Sequence, residues 1–164
     1  MFGAADPEQA ISQLEAYYRE GRGERAEVMA SALVDQLMAQ KNRDDETQGI
    51  LVKGLRILAG VLNSRQKYKR ARITVGLLHK HRNKHGKAVG HDLISAAADY
   101  HLAGFIHANA GKKGAAKKAF AKCEKLQPGH LAAALDAAEQ CSYHKTLAKL
   151  YPLAGPVISK NGGY

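Results

Sequence analysis

A chain of 164 residues with 45% hydrophobic side chains is long enough for one domain with a true core, which at this size buries roughly 70% of the unfolded surface. No uncharged stretch approaches the ~18 residues of a membrane span, and the start, MFGAADPEQ, lacks the basic and apolar runs of an export signal, so a soluble cytoplasmic protein is expected. The net charge of +10 is unevenly placed: residues 1 to 46 carry five Lys or Arg and ten Asp or Glu, whereas Gln48 to His91 holds 11 Lys or Arg, four His and no acid.

With 16 Gly, four Pro and no Trp, and with Ala and Leu supplying much of the apolar content, helix-on-helix packing is favoured over sheet. Asp6 and Pro7 form a helix-start signature, with Gln9 three residues beyond the cap. The first helix follows on Ala10, Leu14 and Tyr17 to about Glu20. Gly21-Arg22-Gly23 turns the chain into a second helix on Ala26, Ala30, Leu33 and Leu37. After the polar stretch Lys41 to Thr47, with Asp44 or Asp45 as cap, Leu51, Leu55, Leu58 and Leu62 mark the clearest apolar stripe in the chain. A turn near Ser64 to Lys67 leads to a partner helix on Ala71, Val75 and Leu78. The next residues, HKHRNKHGKAVGH, read as a loop because Gly86 and Gly90 interrupt them.

A third hairpin occupies Ala97 to Pro128. Tyr100, Ala103, Gly104 and His107 recur at helical spacing, then Ala116, Ala119, Phe120 and Cys123 beyond Gly111. A constant offset of 45 residues carries Ala116 to Ala71 and Ala26, Phe120 to Val75 and Ala30, and Cys123 to Leu78 and Leu33. His130 to Tyr151 is expected to form a terminal capping helix, and residues 152–164, with two Pro and three Gly, an irregular tail. Cys123 and Cys141 lack CxxC spacing and metal partners, and read as packing residues.

The third hairpin resembles a tetratricopeptide repeat. Tyr100, Ala103-Gly104, Gly111, Ala116, Phe120 and Pro128 stand where that pattern asks for an aromatic, Leu-Gly, a turn Gly, Ala, Phe and Pro, with Tyr for the usual Trp and Ala for the usual Leu. The resemblance implies an all-α fold, a right-handed α-solenoid of TPR-like helical hairpins over about 6–41, 44–85 and 91–127, with the capping helix at 130–151, in a single domain 1–151. The period of 45 exceeds the ~34 of the family and implies longer helices or loops. It further implies a partner-binding groove on the first helix of each hairpin. By register its residues are Ile11, Tyr18 and Arg19, then Lys53, Arg56 and Asn63, then His101, Phe105 and Asn109. Arg19, Lys53 and Arg56 would clamp a carboxylate there.

The basic residues form a separate anion-binding patch: Arg65, Lys67, Lys69, Arg70 and Arg72, then Lys80, Arg82, Lys84 and Lys87, then Lys112, Lys113, Lys117 and Lys118. Only Tyr68 lies inside the basic segment, so a stacking platform for single-stranded nucleic acid is not expected. His81 and His85 are spaced for one helical face, but surrounding cations repel a metal, and none is expected. AGKKG lacks the spacing of a phosphate-binding loop, and no nucleophile elbow or carboxylate pair stands out, so neither enzymatic activity nor a cofactor is expected. The expected function is a non-enzymatic protein-protein interaction module, an adaptor or assembly subunit whose protein partner has an acidic surface. Two alternatives are a basic module on nucleic-acid backbone in a larger nucleoprotein assembly, and a self-assembling homo-oligomer joined through its acidic first hairpin and basic middle.

Overall fold

The computed structural model describes residues 6–84 and 93–131, and these are all-helical. Six helices follow in order: α1 (Pro7–Arg19), α2 (Gly23–Ala39), α3 (Asp45–Ser64), α4 (Tyr68–Lys84), α5 (Leu93–Asn109) and α6 (Lys113–Leu126). The chain divides into two compact units, Met1–His91 and Asp92–Tyr164. The expected capping helix beyond Leu131, the tail, Cys141, His85, Lys87 and His91 lie outside the described residues.

Local chemistry sets the helix ends. Asp6 accepts a hydrogen bond from the Glu8 N–H at 3.1 Å, and Asp44 accepts one from Thr47 N–H at 2.7 Å, so the caps are Asp6 and Asp44. Arg43 closes the other end of α2, donating to the Leu37 and Gln40 carbonyls at 3.1 and 2.9 Å. The basic segment departs from expectation, because His79 to Lys84 continue α4 instead of forming a loop. Cations in the last turn complement the helix dipole, and His81 and Arg82 are buried against the body, so packing carries the helix through a polar sequence.

The 45-residue offset recurs in the three hairpin turns. Residues at positive φ are Gly21 (76°), Gln66 (64°) and Gly111 (77°), and in each case the following N–H bonds the carbonyl five residues back. Those bonds are Arg22 to Tyr17 (2.9 Å), Lys67 to Leu62 (2.8 Å) and Lys112 to His107 (2.8 Å). This is a Schellman closure, in which the left-handed residue lets the chain reverse and satisfies carbonyls left over at the helix end. The carbonyls of Arg22, Lys67 and Lys112 then accept the first bonds of α2, α4 and α6.

In the first unit α3 is central, packing on α1, α2 and α4, and it is buried on several faces by Ile50, Leu51, Leu55, Leu58, Val61 and Leu62. Leu14 from α1, Leu33 and Leu37 from α2 and Leu78 from α4 complete that core. In the second unit α5 and α6 pack around Ala97, Ala116, Phe120, Cys123 and Leu131. Gly104 is obligatory there, since a Cβ at that position would lie 2.4 Å from the Phe120 ring. Burial raises the Cys123 thiol to about 12, so it packs as an inert apolar group.

Candidate partner-binding surfaces

The register-based groove divides into residues at the surface and residues in the packing. Ile11, expected on the exposed inner surface, is buried at 6% exposure, because it also faces the α1–α3 contact. It shares a cleft of about 310 Å³ with Lys53, Glu8, Ser12, Glu15 and Ile50. Two carboxylates therefore flank the lysine that was expected to clamp an acid, and the cleft is acidic in balance. Tyr18 is 42% exposed and lies close to Gly60 of α3, and Arg19 is exposed at the end of α1. Arg56 and Asn63 are half-buried and already hold polar or electrostatic contacts.

The groove residues of the third hairpin are built into the second unit. Phe105 lies against Phe120 edge to face, with ring centroids 5.7 Å apart, and His101 packs on Phe105 at 4.6 Å. Asn109 is half-buried at the end of α5. His101 Nδ1 meets His130 Nε2 at 3.3 Å, and His130 Nδ1 reaches the side-chain Oε1 of Gln127 at 3.2 Å. Burial first, and the neighbouring His130 second, push His101 down to about 4, so the His101 ring is neutral at physiological pH.

The basic patch also separates into distinct roles. Arg65, Lys67 and Arg70 converge on one carboxylate, Glu27 of α2, at 3.2, 2.8 and 3.5 Å. The Glu27 side chain is only 13% exposed, and the hydrogen bond from Lys67, with the surrounding cations, holds its carboxyl below the usual range despite burial. These three cations of the expected anion-binding patch share one internal carboxylate. Arg82 is 5% exposed and Arg72 half-buried, and both hold contacts. Sequence separation hid Glu27, which lies 40 residues from Lys67.

What remains open on the first unit is one side of α4. Lys69, Ile73, Gly76, Lys80 and Lys84 follow at spacings of three and four, and all are exposed, with Ile73 at 60%. The opposite side, Ala71, Thr74, Val75 and Leu78, is buried against the body. The face is therefore a cationic stripe around an exposed isoleucine. On the second unit Lys112, Lys113, Lys117 and Lys118 are all exposed at the start of α6. Lys122 lies over the Tyr100 ring at 5.7 Å.

Among the described residues no group of three or more His, Cys, Asp or Glu is placed to hold a metal ion, and no helix is long and apolar enough to cross a membrane. No family model, no curated protein and no solved structure matches this chain.

Proposed function

We propose that this chain is a non-enzymatic, tetratricopeptide-like interaction module of the cytoplasm, an adaptor or assembly subunit that docks an acidic protein surface. The observation that supports this reading is the outer side of α4, where Lys69, Lys80 and Lys84 surround an exposed Ile73 in a stretch without a single acid from Gln48 to His91. An apolar residue among cations suits a protein partner, because phosphates alone reward only the charges. The contact moves from the groove to α4, since Lys53 stands beside Glu8 and Glu15 while Arg65, Lys67 and Arg70 hold Glu27.

Charge reversal tests this directly. With a fluorescent glutamate-rich peptide as probe, Lys69→Glu with Lys80→Glu abolishes binding, whereas reversal of Arg65 mainly lowers stability. Undiminished binding by the α4 double variant overturns the reading. The four exposed lysines of α6 support the second reading, a backbone-directed contact with nucleic acid, which loses affinity steeply with salt.

A further inference from the structure

We infer that one partner of the α4 face is a second copy of this chain, which receives it in the acid-rimmed cleft between α1 and α3. The inference extends the interaction-module reading by naming an occupant, and it rests on two faces of the first unit that complement each other. One is convex: Ile73 stands 60% exposed on α4, with Lys69 one turn before it and Lys80 two turns after it. The other is concave: Ile11 and Ile50 line a cleft of about 310 Å³ together with Glu8, Ser12 and Glu15. Glu8, Ser12 and Glu15 share a side of α1 by their spacing, so the carboxylates stand two turns apart along the cleft.

The two faces carry charges of opposite sense. A helix seated in a groove through one apolar anchor, flanked by cations that meet carboxylates, is a common recognition mode. Glu27 gathers Arg65, Lys67 and Arg70, whereas Lys69 and Lys80 stand exposed outside that cluster, and Glu8 and Glu15 are exposed at the cleft. Lys53 is the one cation lining the cleft, and it weakens the complementarity. The two faces belong to different helices, so the contact is heterologous: each copy offers one face and keeps the other free for the next.

That geometry has a diagnostic consequence. The full chain is examined by sedimentation equilibrium up to roughly 100 µM, a range that captures micromolar association, at low and at high salt. The expected result is open-ended association at low salt that weakens as charges are screened. Ile73→Glu spoils the helix face, and Glu8→Lys with Glu15→Lys spoils the cleft; each variant alone weakens association by roughly tenfold or more. An equimolar mixture of the two variants, each keeping one intact face, forms a 1:1 dimer and stops there. Lys53→Glu in the otherwise native chain tightens association. All these positions are exposed, and circular dichroism verifies that each variant is folded.

A monomer at low salt overturns the inference, as does a closed dimer whose face variants fail to complement each other in the mixture. Retention of glutamate-peptide binding by such a monomer sinks the second-copy partner while leaving the interaction-module reading in place. Loss of both sinks the two together.

Discussion

Gln66 occupies a backbone position that suits glycine. Its φ of 64° matches Gly21 and Gly111 at the corresponding turns, where no side chain has to be accommodated. A non-glycine residue in this conformation is disfavoured by roughly 1–2 kcal/mol, part of which glycine forfeits through its larger unfolded-state entropy. Gln66→Gly is therefore expected to stabilise the first unit by about 0.5–1 kcal/mol, read as a higher urea midpoint at unchanged slope. A second residue-scale consequence lies in His101. Its folded value of about 4 stands below the ordinary 6.5, so the unfolded chain takes up its proton first as pH falls. The stability contributed by the neutral ring is complete above pH 6.5 and is lost progressively toward pH 4, by up to about 3 kcal/mol. His101→Gln should flatten that slope between pH 6.5 and 4, and an unchanged slope contradicts the assignment.

At the scale of elements, Glu27 fastens the start of α2 to the α3–α4 turn. Because the carboxylate is nearly buried while its three partners are partly exposed, its loss falls between the surface and buried limits, about 1–2 kcal/mol. Glu27→Gln keeps the shape and removes the charge; urea unfolding of the variant should show that loss, together with a weaker salt dependence than the native chain. Its depressed value also gives a sign: this stabilisation is present above the ordinary 4.5 and is lost as pH falls below it. The second unit uses a different device. Buried Glu124 accepts the Gly129 and Leu131 N–H groups, both at 2.9 Å, and so anchors the chain leaving α6.

Most of this level was legible beforehand. Asp6 and Asp44 announce helix starts through hydrogen bonds they accept from residues two or three away, Pro7 through its fixed φ and missing N–H, and Gly21 and Gly111 announce turns through positive φ. The Leu51–Leu62 stripe announces the central helix by period alone. The Glu27 cluster was not legible, because only tertiary packing brings α2 beside the turn at Arg65. Gln66 carries no turn signal of its own, although the 45-residue register places it midway between two turn glycines. The helical continuation through Lys84 was hidden because His81 and Arg82 look like loop residues until the body that buries them is present. Of the candidate sites, the cationic middle was visible as composition. Its division into a cluster gathered on Glu27 and an exposed α4 face required the fold.

For the molecule as a whole, the charge asymmetry of the sequence resolves into surfaces of opposite sense within the first unit, and exposed lysines on the second. Solubility alone calls for scattered charge of both signs. A cationic stripe centred on an exposed isoleucine, with an acid-rimmed cleft on other helices of the same unit, is better explained by docking. The most direct measurement compares a fluorescent glutamate-rich peptide with a fluorescent 20-mer nucleic acid across several salt concentrations. The interaction-module account predicts saturable peptide binding that survives moderate salt, because Ile73 contributes an apolar contact, and weaker nucleic-acid binding. Tight nucleic-acid binding whose logarithm falls with the logarithm of salt at a slope near 0.9 per duplex phosphate, with no peptide binding, would contradict it.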